Sequence, residues 1–451
     1  MAPKKFERGD STRTMVFQKT PRRVYTVLLI VSICYFGKYF CTSDMYITQE
    51  MFRAAEGISE GQMSVLFATG YVASVTGKIA AGILSDAWGG KPVLMMSAAG
   101  YVTCSFLFTL VPARSFGLYL AVWAVNSFFA LGITWVAVVA LVSNWIPVTH
   151  MGRLMALVSL APQLGDALAR AMLAVVIDHT DDWRDVFRGA ATGAFVITLP
   201  VALLVGNMPR EAEEREELME KLQVQNPTHK SFGGRAGSLS RNPLLYAVAG
   251  LSGSLYGIRV LFLLYSATFL ASTFCLTYEP GMDLAACTVR PKTLSNTSAT
   301  SMCFTLAGCV SVLLVGQLKD KLPKRHRAGI IVCFVSVLVA TLAVLAAHGV
   351  AMSYPVSAFL VGVIGLTLFG PYKILGTAFA NDIGGKALKA TACSIMGMCD
   401  NATAVLVVLV KGQIGSDWTR MFTALLALSV VALGCAATMW AIDLRKARED
   451  Q

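Results

Sequence analysis

Charged residues are scarce in this chain of 451 residues, at 14% against about 25% in an ordinary soluble domain, while 55% of the residues are hydrophobic. Apolar runs of roughly 20 residues recur along almost the whole sequence, and each is long enough to cross a hydrocarbon layer of about 30 Å. No stretch is left over for a soluble catalytic domain. The composition therefore excludes a soluble enzyme and predicts an all-α polytopic membrane protein, for which we expect neither a cofactor nor a metal site.

Twelve membrane-spanning helices are predicted from the apolar runs, six on each side of a polar stretch that begins at Pro209. The helices are expected at residues 24–46, 61–84, 92–111, 117–143, 152–177, 185–206, 244–274, 299–318, 327–347, 353–380, 386–411 and 418–443. The polar stretch combines a short charged segment with a Gly/Ser-rich run, a composition typical of a linker. The predicted parts of the chain are an amino-terminal tail (1–23), a six-helix half (24–208), a linker (209–242), a second six-helix half (243–443) and a carboxy-terminal tail (444–451).

The formal net charge is +11, and its placement indicates a membrane. Lys and Arg are concentrated on one side of the predicted bundle, which is the positive-inside pattern of membrane proteins. The positive charge therefore points to a lipid bilayer as a partner and does not indicate nucleic acid.

An internal repeat relates the two predicted halves. Gly82 and Asp86 recur as Gly316 and Asp320, 234 positions later. Further pairs at this offset, or at one position more, are Asp166 with Asp400, Ala156 with Ala390, Trp183 with Trp418, and Phe187 with Phe422. Two parallel repeats related by an axis along the membrane normal are typical of secondary transporters.

The segment from Gly82 to Lys91 resembles the loop signature of the major facilitator superfamily, and residues 316–325 resemble a second copy. In this signature a glycine is followed four positions later by an acidic residue and then, after a tight turn, by basic residues. The resemblance covers nearly the whole chain. It implies the major facilitator fold, with twelve transmembrane helices in two six-helix halves, and places both signature loops on the cytoplasmic side together with both termini and the linker.

The same resemblance implies two cytoplasmic latches that hold the halves together and release when they rock. The residues of these latches would be Gly82, Asp86, Lys91, Gly316, Asp320 and Arg325. The first copy has Ala87 where the family has a basic residue, and the second has Pro323 where a glycine is usual. A plain pair of loop charges is therefore the alternative interpretation.

Within the superfamily, the chain is most similar to the organophosphate:phosphate antiporters, which include glycerol-3-phosphate and hexose-phosphate carriers. The stretch EGISEGQMSVLFATGYVASVTGKIAAGILSD matches the first outer loop and second helix and places Lys78 on a pore lysine of the family. The stretch NPLLYAVAGLSGSLYGIRVLFLLYSATFL matches the seventh helix and places Arg259 on the substrate-phosphate arginine. The stretch GLTLFGPYKILG matches the bend of the tenth helix around Gly370 and Pro371.

The first helix departs from the family pattern, because the family arginine falls here at Thr42 or Ser43, depending on a one-residue choice of register. If Thr42 is the match, Tyr35 and Tyr39 occupy the family's aromatic positions, and Lys38 lies one turn from Thr42 on the same face. If Ser43 is the match, Lys38 points about 140° away and cannot replace the arginine.

Six basic residues lie within predicted helices, where a charge costs about 2.5 to 3.5 kcal/mol and usually faces a pore or a partner. These residues are Lys38, Lys78, Arg170, Arg259, Lys373 and Lys411. Lys411 is near a helix end, and we expect it to reach out to the membrane surface. Asp166 and Arg170, four positions apart, are expected to form an intrahelical ion pair. Asp400 could pair with Lys373 or Lys78, or it could titrate.

The positive balance within the membrane predicts an anionic substrate. The guanidinium of Arg259 presents a planar fork that matches two phosphate oxygens, and Lys78 supplies a second, flexible charge. Lys38 and Lys373 are further candidates for the site. Tyr35, Tyr39 and Tyr265 could donate hydroxyl hydrogen bonds in the same cavity or could simply pack between helices.

The loop after the seventh helix is predicted to face away from the cytoplasm. Cys275 and Cys287, in or next to this loop, are candidates for a disulfide. Asn296, in the sequence Asn296-Thr297-Ser298, is predicted as a glycosylation site. A second such sequence at Asn401 falls inside a helix and is expected to be silent.

We therefore predict a monomeric, multi-pass carrier of the plasma membrane or an organelle membrane that exchanges a small organic anion, an organic phosphate or phosphate, by alternating access. One alternative is a proton-coupled symporter of a carboxylate or neutral solute, in which Asp166 or Asp400 titrates. Another is a sensor that binds a ligand without moving it, although sensors usually carry a larger cytoplasmic extension than the predicted linker.

Overall fold

The computed structural model describes two groups of helices that the predicted linker separates in the sequence. The described residues are 21–145, 158–180, 182–206, 243–321, 326–375 and 380–449. The predicted linker, all but three residues of the predicted amino-terminal tail, and residues 450–451 lie outside this part of the chain. Within it, ten helices are long and apolar enough to cross a membrane.

In the part of the first half that the structure describes there are six long helices: Pro21–Glu56 (α1), Glu60–Trp88 (α2), Gly90–Phe108 (α3), the segment that begins with Phe116–Ser127 and ends with Thr134–Trp145 (α4), Ala161–Ile177 (α5) and Trp183–Leu204 (α6). The two parts of α4 are joined by a π-helical turn, Phe128–Ile133. The second half contains six more: Pro243–Tyr278 (α7), Pro291–Lys321 (α8), Arg327–His348 (α9), Tyr354–Ile374 (α10), Ala380–Ile414 (α11) and Trp418–Glu449 (α12). These twelve helices confirm the predicted fold class.

The helix contacts repeat from one half to the other. Helix α1 packs against α5 and α6, and α7 packs in the same way against α11 and α12. Likewise, α2 packs against α4 as α8 packs against α10. The two halves meet through α2 with α11, α5 with α8, and α1 with α7. A substrate site between the halves must therefore be built mainly from these helices and from α4 and α10 beside them.

Glycines allow the closest helix crossings. A Cβ atom on Gly77 of α2 would lie 2.4 Å from the Phe128 carbonyl oxygen and 2.9 Å from the Gly132 Cα, at the π-helical turn of α4. A Cβ on Gly365 of α10 would lie 2.0 Å from the Phe304 carbonyl oxygen of α8. Close approach of this kind is how helices associate in lipid, where burial of apolar side chains supplies little driving force.

Several helix boundaries were predicted wrongly, and two of them show the reason. Helix α1 continues ten residues beyond the predicted end at 46, because its polar extension finds partners: Gln49 bonds to α7, and Glu50 pairs with Arg53 at 3.0 Å. Helix α8 begins at Pro291 instead of 299, and the hydroxyls of Thr297 and Ser301 donate to backbone carbonyls one turn earlier. These polar groups are satisfied inside the fold, so low hydropathy did not end the helices there.

One end of the bundle carries a disulfide between Cys275 and Cys287, which confirms the predicted pairing. Cys287 belongs to a short helix, Leu284–Thr288, between α7 and α8. We call this end of the bundle the disulfide face. The opposite end is called the turn face, because Gly89, at φ +79°, makes the tight turn between α2 and α3 there.

Candidate functional site

Four of the predicted intramembrane cations lie close enough together for their charges to interact. The charges of Arg259, Lys78 and Lys373 all act on the ammonium group of Lys38, although the four residues come from four helices, α7, α2, α10 and α1. We call these four residues the cation cluster. Like charges repel strongly in a low-dielectric interior, so the cluster is suited to hold an anion.

Arg259 lies among aromatic rings rather than beside a carboxylate. Its guanidinium carbon is 4.9 Å from the centroid of the Phe369 ring, 5.6 Å from Tyr372 and 5.8 Å from Tyr256. Its Nε atom is buried and has no hydrogen-bond partner within the described residues. A buried donor without a partner costs about 1 to 3 kcal/mol, which an incoming acceptor oxygen would recover.

Lys38 is buried on α1 between two of the predicted tyrosines. Its Nζ atom donates to the Tyr35 hydroxyl at 3.5 Å and lies 4.7 Å from the centroid of the Tyr39 ring. Ser43 instead points to α5, where its hydroxyl donates to Asp166 at 2.8 Å. Lys38 thus lies in the cation cluster, and Ser43 bonds to a carboxylate on another helix.

Lys373 follows Pro371 near the end of α10. Its Nζ atom is 5.6 Å from the centroid of the Trp135 ring, and the Trp135 ring is 5.5 Å from Tyr35. The preceding Gly370 donates its backbone N–H to the Ser311 hydroxyl of α8 at 2.9 Å. This contact joins Gly370 to α8, and two residues further on Lys373 approaches the amino-terminal half.

Asp400 accepts hydrogen bonds from two neutral hydroxyls. The Ser252 hydroxyl donates at 2.7 Å and the Tyr372 hydroxyl at 2.9 Å. Lys78 and Arg259 act on Asp400 electrostatically. Because Tyr372 also contacts Arg259, the Asp400 carboxylate is part of the same polar network as the cation cluster.

Asp166 and Arg170 form the predicted intrahelical pair, with Nε 3.0 Å from the carboxylate oxygen and both side chains at most 2% exposed. The arginine also reaches the other half: Nη1 donates to the Ser301 hydroxyl of α8 at 3.0 Å, and Nη2 donates to the carbonyl of Leu263 on α7. This pair therefore joins the two halves inside the bundle, a role that its spacing in the sequence did not reveal.

Tyr265 is not part of the cation cluster. It lies near the disulfide face, where its hydroxyl is 3.4 Å from the Ser64 hydroxyl, and it lines a separate cavity of about 520 Å³ between the halves. Lys411 lies beside it, 4% exposed, with Nζ 3.1 Å from Glu60 of α2 and 5.0 Å from the Tyr265 ring. The expectation that Lys411 reaches the membrane surface was wrong, because Glu60 offers its charge a partner across the halves.

The predicted latch residues are only partly described. Arg325 lies outside the described residues, and the side chains of Asp86 and Asp320 are not described. Lys91 is half-buried near the start of α3. A Cβ at Gly82 or at Gly316 would meet no atom within 4 Å, so these two positions do not require glycine in this arrangement of the helices.

The predicted glycosylation site does not lie in a loop. Asn296 is exposed, but it lies within α8, and its backbone carbonyl accepts a hydrogen bond from Thr300. Ser298, the hydroxyl residue of the motif, is fully buried. The prediction of a loop was wrong, because Pro291 starts the helix earlier than the hydropathy suggested, and the argument for glycosylation loses its basis.

Sequence reasoning missed Asp44, an acid buried within the first half. It is 0% exposed within α1 and accepts hydrogen bonds from the Ser105 hydroxyl at 3.0 Å and from the Met45 backbone N–H at 2.7 Å. The predicted end of α1 at residue 46 placed this acid near a helix end. Tyr256, Tyr372 and Trp135 were also missed, because aromatic residues in helices give no signal that separates site walls from packing.

Comparison with known proteins assigns the family. The sequence profile of the Major Facilitator Superfamily matches residues 27–408. A Chlamydia trachomatis protein named "Probable hexose phosphate transport protein" is 23% identical over 430 residues, covering 89% of this chain and 88% of its own length. An Arabidopsis thaliana protein named "Putative glycerol-3-phosphate transporter 5" is 25% identical over 387 residues, covering 80% of this chain and 76% of its own length.

Solved structures share the fold. The nucleoside transporter NupG superimposes with a TM-score of 0.65 at 14% identity, covering 92% of this chain and 98% of its own. The xylose transporter XylE from E. coli, in an inward open conformation, superimposes with a TM-score of 0.66 at 13% identity, covering 92% and 95%.

Proposed function

Because the chain belongs to the Major Facilitator Superfamily and is a multi-pass membrane transporter, we propose that it exchanges an organic phosphate for phosphate by alternating access. The substrate binds at the cation cluster, between residues 24–208 and residues 243–443, which move as two halves of a monomer. The names of the relatives from Chlamydia trachomatis and Arabidopsis thaliana support a phosphate ester as substrate.

The environment of Arg259 is the observation that carries this proposal. Its guanidinium faces aromatic rings, its Nε has no partner within the described residues, and its charge acts on Lys38 and Lys373. A phosphate group accepts bidentate hydrogen bonds from such a fork and accepts a further bond from a flexible lysine. Arg259 and Lys78 hold the phosphate, and Lys38 supplies the positive charge that the first-helix arginine supplies in the related antiporters.

Exchange follows from the electrostatics of the empty site. Without an anion, the like charges of the cation cluster repel one another, and moving them through the membrane interior is costly. A bound anion removes this repulsion, so each half-cycle requires a substrate. Opening of the disulfide face would break three contacts between the halves: Lys411 with Glu60, Ser64 with Tyr265, and Gln49 with α7. In this proposal the turn face is cytoplasmic, and Asp86 and Asp320 hold it shut in the opposite state.

Counterflow in liposomes tests the proposal. Purified protein is reconstituted with or without internal phosphate, and the uptake of labelled phosphate and of labelled glycerol 3-phosphate is measured. We expect internal phosphate to accelerate uptake and a pH gradient to have no effect. The proposal is wrong if internal phosphate does not accelerate uptake and a pH gradient does.

Proton-coupled symport is the second candidate function, because two buried acids have neutral hydroxyl donors. Asp400 bonds to Ser252 and Tyr372, and Asp44 bonds to Ser105. Acids in such surroundings can carry a proton through a transport cycle. The same liposome assay separates the two functions, since a symporter accumulates substrate under an inward proton gradient without internal phosphate.

A further inference from the structure

The cavity near the disulfide face is a separate space between the halves. Gln49, Glu50 and Arg53 line it from α1, while Tyr265 and Asp283 line it from α7 and the segment that follows α7. Its lining includes no residue of the cation cluster among the residues that the structure describes. Its volume of about 520 Å³ is typical of small-molecule sites in proteins. A compound bound in this cavity would contact both halves at once.

Gln49 brings to the cavity wall an acceptor atom that has no partner. The side chain is 1% exposed, and its Nε2 atom donates to the carbonyl of Leu264 at 3.0 Å and to the hydroxyl of Thr268. Because a carbonyl oxygen can only accept, these contacts define the orientation of the amide and leave Oε1 as the remaining polar atom. Oε1 is buried and has no hydrogen-bond partner within the described residues. The compound that suits this atom is therefore a hydrogen-bond donor.

The charges on the cavity wall favour a cation. The described lining contains three acids, Glu50, Glu60 and Asp283, and two bases, Arg53 and Lys411. Both bases are already paired: Arg53 lies 3.0 Å from Glu50 and 3.6 Å from Glu60, and Lys411 lies 3.1 Å from Glu60. Asp283 belongs to none of these pairs. A bound cation would offset the remaining negative charge, whereas an anion would have to compete with Glu50 and Glu60 for the bases.

The surroundings of the cavity indicate an organic cation. Within the described part of the chain, no group of three or more His, Cys, Asp or Glu side chains comes together as a metal ion requires. The rings of Tyr265 and Trp418 line the cavity and offer an apolar surface to the carbon part of a compound. Oε1 of Gln49 requires an N–H or O–H donor. A protonated primary amine combines the charge, the donor and the carbon part.

We propose that this cavity binds a small protonated amine, which donates a hydrogen bond to Oε1 of Gln49 and holds the two halves together at the disulfide face. The site is distinct from the cation cluster, so amine binding does not depend on the proposed substrate. Its effect on transport does rest on alternating access. A compound that binds only while this face is closed stabilises the closed arrangement, and the bound amine therefore inhibits transport.

Three compounds of similar size test the inference on the purified, unmodified protein. 2-Phenylethylamine carries a charge and N–H donors, its N,N,N-trimethyl analogue keeps only the charge, and 2-phenylethanol keeps only a donor. Binding of each compound is measured by isothermal titration calorimetry. We expect the primary amine to bind at least about tenfold more tightly than either control, as one charge-assisted hydrogen bond implies. Equal affinity of the amine and either control, or no binding of the amine up to about 10 mM, overturns the inference.

Two substitutions assign the binding to this cavity. Asp283→Asn removes a negative charge from the wall, and asparagine can still accept the backbone hydrogen bond that Ala286 donates to Asp283. We expect it to lower the affinity for 2-phenylethylamine about three- to tenfold. Gln49→Met removes the acceptor and should abolish the preference for the primary amine over its trimethyl analogue.

The matched control is Asp178→Asn, which removes an exposed negative charge after α5, outside the lining of the cavity. We expect it to change the affinity for 2-phenylethylamine by less than about twofold. Equal affinities of Asp283→Asn and Asp178→Asn, or an unchanged preference in folded Gln49→Met, overturn the assignment to this cavity.

Inhibition of transport is measured separately. 2-Phenylethylamine is added during the uptake of labelled phosphate into phosphate-loaded liposomes, and 2-phenylethanol serves as the control for effects on the bilayer. We expect the amine to lower the maximal rate, and a higher phosphate concentration to leave the inhibition unchanged, because the two compounds bind at different places. Inhibition that phosphate relieves, or no inhibition at a saturating amine concentration, contradicts the claim that the amine holds the halves together. If no phosphate is exchanged at all, the proposed function fails, and calorimetry still decides whether the amine site exists.

Discussion

Replacement of Arg259 by lysine keeps the charge of the candidate site and removes only the fork. In the structure, the buried Nε has no hydrogen-bond partner within the described residues, so the guanidinium can offer two parallel N–H donors to one phosphate. A lysine at this position offers a single ammonium group, and it cannot direct two parallel donors at one phosphate. The loss is therefore one charge-assisted hydrogen bond, worth about 1.5 to 3 kcal/mol.

That free energy sets the expected rate. At about 1.4 kcal/mol for each factor of ten, Arg259→Lys should lower kcat/KM for phosphate exchange roughly 10- to 150-fold. Arg259→Gln also removes the charge and should lower it further. The assay is the initial rate of labelled phosphate uptake into phosphate-loaded liposomes, with equal amounts of protein and with melting temperatures compared to show that the variants are folded.

The matched control for this substitution is Arg290→Lys. Arg290 is about half exposed near the disulfide face and pairs with Glu279 at 2.8 Å, so its change to lysine should leave exchange within twofold of wild type. If Arg259→Lys exchanges phosphate at the same rate as the wild type, the assignment of Arg259 to the phosphate is refuted, because a point charge would then bind the phosphate as well as the guanidinium does.

Three further predictions concern other contacts. Lys411→Met leaves Glu60 without its partner across the halves and should cost about 2 kcal/mol, seen as a lower melting temperature that Lys411→Arg largely recovers; equal melting of Lys411→Met and wild type would contradict this. Asp400→Asn removes a negative charge beside the cluster and should lower KM for phosphate roughly three- to tenfold without creating pH dependence; loss of exchange that only a proton gradient restores would favour symport instead. Cys287→Ser removes the disulfide that closes the short loop between Cys275 and Cys287, and it should lower the free energy of unfolding by about 2 to 3 kcal/mol. A reductant should lower the melting temperature of the wild type to that of the variant and should leave the melting temperature of the variant unchanged.

Local sequence signals predicted the features that depend on neighbouring residues. The spacing of Asp166 and Arg170 predicted their ion pair, since four positions place two side chains on one helix face. The positions of Cys275 and Cys287 predicted their disulfide. The cost of charge in apolar runs selected six basic residues, and the resemblance to the organophosphate:phosphate antiporters singled out Arg259 and Lys78 among them. In the structure the charges of both act on Lys38.

Local sequence signals did not predict features that depend on contacts between helices distant in the sequence. Hydropathy ended α1 at residue 46, whereas Gln49 bonds to α7 and extends the helix. It also placed Asn296 in a loop that is helical. Lys411 was expected at the membrane surface because a helix end alone gives no sign of Glu60 on another helix.

The sequence by itself determined that the chain crosses a membrane many times in two related halves. Apolar runs, charge bias and an internal repeat can all be found in the order of the residues without knowing which helices are in contact. Only the tertiary structure decided which buried polar groups meet. Arg170 reaches Ser301 across the halves, Tyr265 lies apart from the cation cluster, and Lys38 joins it. The physical reason is that a polar group inside a membrane must find a partner, and the partner can lie on any helix that packing brings near.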